Sequence, residues 1–66
     1  MLEVGNVMSK KKITYASFAS LLGISEKTAK NKVSGRTEFT YSEAQKIKTI
    51  FPEYDLDFLM SNASTL

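Results

Sequence analysis

Polar and charged side chains recur at helical spacing in the stretch EKTAKNKVS, residues 26–34. Lys27, Lys30, Asn31 and Ser34 follow the i, i+3, i+4, i+7 spacing, so a helix places them on one face. Lysine can donate to guanine O6 and N7, asparagine can pair with adenine N6 and N7, and a carboxylate such as that of Glu26 can accept from cytosine N4. The spacing therefore indicates either an ordinary solvated surface or a face that reads the edges of base pairs.

The elements that carry these side chains are predicted from the apolar pattern. Val4, Val7 and Met8 follow the i, i+3, i+4 spacing of a first helix over residues 2–11. The same reasoning predicts four further helices and no sheet, so the fold class is all-α with five short helices. The four lie at 15–22, 26–34, 41–51 and 55–60.

Helix ends are marked by capping residues. Thr14, Ser25 and Asp55 are predicted N-caps, and Thr40 with Glu43 forms the S/T-x-x-E pattern of a capping box. Gly23 and Gly35 suit the left-handed residue at a helix C-terminus, and Pro52 ends the fourth helix. The predicted core residues of these helices are Tyr15, Phe18, Ala19, Leu22, Ile24, Ala29, Val33, Ala44, Ile47, Ile50, Phe51 and Phe58.

Composition argues against several functions. The chain of 66 residues has no histidine and no cysteine, which removes the commonest general base, the commonest metal ligand and any disulfide. An enzyme would need a Ser–Lys or carboxylate pair, and a single small domain implies no cleft for one. We therefore expect no catalytic activity, no cofactor, no metal and no small-molecule ligand.

Hydropathy predicts a soluble, cytoplasmic protein with no membrane partner. The longest uncharged run is thirteen residues, Ile13 to Ser25, whereas a spanning helix needs about 20. The lysines near the N-terminus follow the first apolar residues, which is the reverse of a secretory signal.

Charge is distributed unevenly along the chain. All nine basic residues lie between Lys10 and Lys48, a segment with three acidic residues and a net charge of +6, whereas residues 49–66 carry −3. A basic stripe suits a polyanionic partner. An ordinary solvated surface is the alternative that charge alone leaves open.

The segment ITYASFASLLGISEKTAKNKVSGRTEFT resembles the helix-turn-helix of the Xre group, the phage Cro and lambda-repressor-like DNA-binding proteins. The resemblance rests on Ala19, the turn Leu22-Gly23-Ile24-Ser25, Gly35 at the end of the third helix, and the basic Arg36 after it. The capped fourth helix and LDFLM near the C-terminus extend it over most of the chain, from about Val4 to Met60. It implies one domain over residues 1–66, with the helix-turn-helix unit at about 15–34.

This resemblance implies a sequence-specific DNA-binding transcriptional regulator. A Cro-like phage or prophage repressor would bind double-stranded DNA as a homodimer on an inverted repeat, with each third helix in a major groove. Its place would be the cytoplasm of a bacterial or phage-infected cell, associated with the nucleoid.

The resemblance also assigns roles to individual side chains. The expected base-reading residues are Glu26, Lys27, Thr28, Lys30 and Asn31. The expected contacts to the DNA backbone are Tyr15, Ser25, Lys32, Ser34, Arg36 and Thr37. Lys30 and Ser34 suit either base reading or a phosphate contact. For Ser25, a role as the N-cap of the third helix is favoured over a base contact.

Two positions depart from the family pattern. Lys12 stands where many relatives have glycine, and a left-handed lysine there would cost about 1 kcal/mol. Ala29 stands where valine or isoleucine is commoner, which predicts a looser contact between the second and third helices.

The pattern does not decide whether several apolar residues between Phe39 and Met60 are buried in the core or face a partner. Phe39 is a candidate hydrophobic staple before the fourth helix. It could instead face a dimer partner together with Tyr54, Phe58, Leu59 or Met60. A second hypothesis for the whole chain is a protein-interaction module on the same fold, an antirepressor partner or an antitoxin-like protein.

Overall fold

A computed structural model describes residues 1–63. Within them the chain forms five helices and no strand: α1 (Glu3–Lys10), α2 (Tyr15–Leu22), α3 (Glu26–Ser34), α4 (Tyr41–Ile50) and α5 (Leu56–Leu59). A single antiparallel bridge joins Leu2 to Asn62. The all-α prediction is confirmed. Among the described residues, no helix has the length and apolar character that crossing a membrane requires.

The predicted helices differ from the observed ones mainly at the C-terminal side. The fourth helix ends at Ile50, because Phe51 adopts φ −122° and ψ 67°. The residue before a proline is disfavoured in helical geometry, and Pro52 follows. The fifth helix ends at Leu59 rather than at residue 60, and the side chain of its predicted N-cap, Asp55, makes no capping hydrogen bond.

The other predicted caps are confirmed. The hydroxyl oxygens of Thr14 and Thr40 accept from backbone N–H groups of the first turns of α2 and α4, each at 3.1 Å. In α4 the Glu43 carboxylate accepts in return from the Thr40 N–H at 2.8 Å, which completes the capping box. Gly23 and Gly35 have φ of 74° and 92°, the left-handed geometry that glycine tolerates.

Phe18 of α2 is fully buried in the core and lies near two other aromatic rings. Its ring lies 6.4 Å from Phe39, edge to face, and 6.4 Å from Phe51. Phe39 is partly buried against this core. The other buried apolar residues of the same cluster are Val4, Val7, Met8, Ala19, Leu22, Ala29, Val33, Ile47, Phe51 and Leu59.

Several predicted core residues are less buried than expected. Phe58 is 43% exposed and stacks on the ring of Tyr54 at 5.7 Å. Its assignment to the core is wrong, because the four-residue α5 turns Leu59 rather than Phe58 inward. Tyr15, Ile24, Ala44 and Ile50 are half-buried rather than buried.

Gly5 lets α1 approach α3 closely. A β-carbon built on Gly5 would lie 2.9 Å from Val33 Cγ1 and 2.9 Å from the sulfur of Met1. The Leu2 N–H also donates to the Val33 carbonyl at 2.8 Å. The first helix therefore supports α3 from the side that faces the core.

Lys12 adopts φ 58°, so it lies in the left-handed region that favours glycine. We expect Lys12→Gly to raise the free energy of unfolding by about 0.5–1 kcal/mol, because glycine removes the steric cost of this conformation. Chemical denaturation measures the change. As a control, Lys10→Gly at the last residue of α1 removes the same charge at a position whose φ is not positive, so it should not raise stability; a loss of stability in both variants would contradict the prediction.

Candidate nucleic-acid interface

A three-residue turn, Gly23 to Ser25, connects α2 to α3. The left-handed Gly23 reverses the chain, and the Ile24 N–H donates to the Ala19 carbonyl at 3.0 Å. The Ile24 side chain packs half-buried against the core. The turn is therefore held by backbone hydrogen bonds and by an apolar contact, which fixes where α3 begins.

The helix α3 has a buried side and an exposed side. Ala29 and Val33 are fully buried. We call the opposite side, formed by Glu26, Lys27, Lys30, Asn31 and Ser34, the α3 outer face. All of its members are exposed except Asn31, which is half-buried. The predicted stripe is therefore brought together on one face.

Three predicted contact residues also stabilise the ends of α3. The Ser25 hydroxyl oxygen accepts from the Thr28 N–H at 3.1 Å, and its proton is donated to Thr28 Oγ1 at 2.8 Å. The Ser34 hydroxyl donates to the Asn31 carbonyl at 2.9 Å. The capping role predicted for Ser25 is confirmed. Thr28 is half-buried and forms both of these hydrogen bonds with Ser25. The sequence pattern did not indicate this capping contact.

Tyr15 of α2 meets the α3 outer face at Lys30. The Lys30 ammonium lies 5.8 Å from the centre of the Tyr15 ring and 3.7 Å from the Glu26 carboxylate. A cation over an aromatic face is attracted by the ring quadrupole. This contact joins the first turn of α2 to the middle of α3.

Lys32, which is predicted to contact the DNA backbone, lies in an ion pair with α4. Its ammonium donates to the Glu43 carboxylate at 2.6 Å and lies 5.9 Å from the Phe39 ring. Both side chains of this pair are only 12% exposed. Lys32 therefore ties α3 to the first turn of α4. The helical pattern could not reveal this contact, because it depends on tertiary packing.

The Glu43 carboxylate is kept ionised by its partners. Burial raises the pKa of Glu43, but hydrogen bonds from Lys32 and from the Thr40 N–H outweigh it, so the pKa lies below its ordinary value. A carboxyl group whose pKa is lowered on folding stabilises the native state at pH values above its unfolded pKa. That contribution disappears as the pH falls through the folded pKa.

We expect wild type and Glu43→Gln to differ most in stability at neutral pH. The difference should shrink as the pH falls below about 4.3, the ordinary glutamate pKa. Thermal unfolding of both proteins between pH 7 and pH 3, followed by circular dichroism, measures it. A difference that stays constant over this range would show that Glu43 ionisation does not contribute.

Two cations near α3 remain without an ion pair among residues 1–63. Lys27 lies on the α3 outer face, and Arg36 follows Gly35 just beyond the helix; both are exposed. Thr37, the last predicted backbone contact, is also exposed. Because Lys30 is paired with Glu26 and Lys32 with Glu43, most of the unbalanced positive charge at this surface comes from Lys27 and Arg36.

An apolar groove of about 370 Å³ lies beside this surface. It runs between the loop after α3, the start of α4 and the end of α5. Its lining residues are Leu2, Gly35, Thr37, Glu38, Phe39, Thr40, Tyr41, Ala44 and Met60. Tyr41 is 81% exposed at the start of α4. In the sequence, Tyr41 lies between the capping-box residues Thr40 and Glu43. The pattern did not indicate that its ring is exposed.

Within residues 1–63 no group of three acidic, histidine or cysteine side chains is placed to hold a metal ion. Comparisons of this chain with protein-family models, with curated proteins and with solved structures find no match.

Proposed function

We propose that this chain is a sequence-specific DNA-binding transcriptional regulator, a helix-turn-helix protein with α3 as its reading helix. One observation carries the proposal: α3 is fixed from its buried side and from both ends, and it exposes a continuous row of hydrogen-bonding side chains. A reading helix needs both properties, because base recognition requires side chains held in a defined place.

The dimensions of α3 suit the major groove. An α-helix with its side chains is about 10–12 Å in diameter, and the major groove of B-DNA is about 12 Å wide and admits such a helix. In this arrangement Glu26, Lys27, Lys30 and Asn31 face base edges. Arg36, Thr37, Ser34 and Tyr15 lie at the margins, where phosphates would be.

The regulator would act as a Cro-like repressor of a phage or prophage. One small domain offers limited contact area, so two copies on an inverted repeat, with reading helices about 34 Å apart, would supply affinity and specificity. The groove with Phe39, Tyr41 and Met60 is the surface that we assign to the dimer contact. Such a protein would act in the cytoplasm by occupying an operator.

We expect Asn31→Ala to weaken binding to the preferred site by about 1–3 kcal/mol and to relax one base position. Arg36→Ala should weaken binding to all sequences alike and lower the salt slope by about one. Titration of labelled duplexes at several salt concentrations separates the two effects. Equal loss on all sequences for Asn31→Ala would overturn its role as a base reader.

The experiment that tests the function is selection from a random duplex library at about 100 mM salt, where non-specific phosphate binding is reduced. The protein retains its bound duplexes, which are then sequenced. An enriched inverted repeat supports a dimeric DNA reader and gives the half-site spacing. A folded protein that enriches no sequence would rule out sequence-specific reading.

The second candidate function is a protein-interaction module. The exposed rings of Tyr41 and Phe58, 81% and 43% accessible, favour it, since exposed aromatic side chains are common at protein contacts. Under this function, substitutions at Tyr41 would abolish partner binding and those at Lys27 would have no effect. The library selection discriminates the two functions directly.

A further inference from the structure

An ion pair joins the first two turns of α3 on its outer face. Glu26 Oε2 lies 3.7 Å from Lys30 Nζ, and the side chains are 53% and 58% exposed. Exposed pairs at this spacing add little to the stability of a helix, because water screens their charges. The pair therefore contributes little to folding, and its acceptor and donor groups are accessible together.

The two kinds of base pair present different rows of groups in the major groove. A G·C pair shows two acceptors, guanine N7 and O6, followed by one donor, cytosine N4. An A·T pair shows acceptor, donor and acceptor, followed by the thymine methyl group. Only the G·C pair has its acceptors side by side and its donor at the end of the row.

We propose that Glu26 and Lys30 act as one unit that reads a single C·G base pair. The Glu26 carboxylate accepts from cytosine N4, and the Lys30 ammonium donates to guanine O6 and N7. Base pairing holds N4 and O6 about 2.9 Å apart, which is close to the 3.7 Å between the two side-chain groups. This inference rests on the proposed function, in which α3 lies in the major groove.

An A·T pair would be rejected for an electrostatic reason. A carboxylate placed on adenine N6 would lie between two acceptors, N7 and thymine O4, and the ammonium could neutralise only one of them. On a C·G pair the carboxylate has one acceptor neighbour, guanine O6, and the ammonium occupies that same atom. Specificity thus comes from repulsion as well as from hydrogen bonding.

The orientation of the base pair is also selected. Glu26 lies one helical turn before Lys30, and the Tyr15 ring beside the ammonium, at 5.8 Å, restricts where Lys30 can reach. In a fixed docking of α3, cytosine must therefore lie on one particular strand. The unit would favour C·G over both G·C and A·T at this position.

The Glu26–Lys30 pair has no net charge, so its effect on binding can be distinguished from that of phosphate contacts. Salt dependence of DNA binding arises from the cations that neutralise phosphates. A variant with both Glu26→Gln and Lys30→Gln keeps the net charge of the chain. It should therefore lose discrimination at one base pair while its salt slope stays that of the wild type.

The test is the duplex-library selection performed with wild type, Glu26→Gln, Lys30→Gln and the double variant. Lys48→Gln, at an exposed position of α4, is the matched control for loss of one lysine. Wild type and the control should favour cytosine over the other bases about tenfold or more at one position of each half-site. Both single variants and the double variant should lose this preference at that same position and keep the rest of the motif.

The outcomes distinguish this inference from the proposed function. In one outcome, wild-type protein enriches a motif while the two single substitutions change the base preference at different positions of it or at none. That result overturns the paired reading and leaves the DNA-binding function standing. A double variant whose salt slope changes by about one or more would also overturn it, because the pair would then be contacting phosphate. No enriched motif with folded wild-type protein overturns the proposed function itself, and the paired reading with it.

Discussion

Replacement of Phe18 by alanine is expected to lower the free energy of unfolding by about 3–5 kcal/mol. Phe18 is fully buried, and its ring contacts those of Phe39 and Phe51. A domain of 66 residues has a total stability of roughly 3–10 kcal/mol. The substitution should therefore remove a large part of the total stability, which denaturation followed by circular dichroism would measure.

Phe58→Ala is the matched control, since it removes the same atoms from a ring that is 43% exposed. Its main contact is the stacked Tyr54 ring, and an aromatic pair contributes about 0.5–1.5 kcal/mol. The loss should be about 1 kcal/mol. Equal losses in the two variants would contradict the full burial of Phe18.

Replacement of Lys32 by alanine is expected to cost about 2 kcal/mol at pH 7. The substitution leaves the Glu43 carboxylate, only 12% exposed, with its capping N–H but without its ammonium partner. Removing one member of a fully buried pair costs about 3–5 kcal/mol, and the remaining solvent contact reduces that figure here. Because the pKa of Glu43 is lowered in the folded protein, the cost should be largest at pH 7 and should decrease as the pH falls below the ordinary glutamate pKa of about 4.3; unfolding measured at several pH values between 7 and 3 checks this.

Lys30→Ala is the control for this prediction. Its ion pair with Glu26 is more than half exposed, so the expected cost is at most about 0.5 kcal/mol. A cost for Lys32→Ala as small as that of Lys30→Ala would mean that the contact with Glu43 does not stabilise the fold. Combining Lys32→Ala with Glu43→Gln should recover part of the loss, because the neutral amide can still accept from the Thr40 N–H.

Local chemistry made most of the fold predictable. Helix ends depend on residues next to them in sequence, so Thr14, Ser25, Gly23 and Gly35 could be assigned before any contact was known. The inward stripes followed from the helical period in the same way. Phe58 was misassigned because α5 is a single turn, in which the apolar spacing does not determine a buried side.

The surface was less predictable than the core. Spacing placed Lys27, Lys30 and Asn31 on one face, and the structure brings them together. It could not reveal that Lys32, next to them in sequence, is held by Glu43 eleven residues later. The partner of a long side chain depends on how helices pack, and a pattern with a period of 3.6 residues contains no information about that.

Different residues of α3 hold the helix in place and form its exposed face. This affects how the sequence of such a protein can change during evolution. Ala29 and Val33 anchor the helix, and Ser25 and Gly35 shape its two ends, whereas Lys27 is exposed and carries no ion pair among residues 1–63. Exposed positions of this kind usually change stability by less than about 0.5 kcal/mol when substituted. Mutations there can accumulate without loss of folded protein, so, under the proposed function, descendants of one ancestral gene would acquire new target preferences while the fold stays the same.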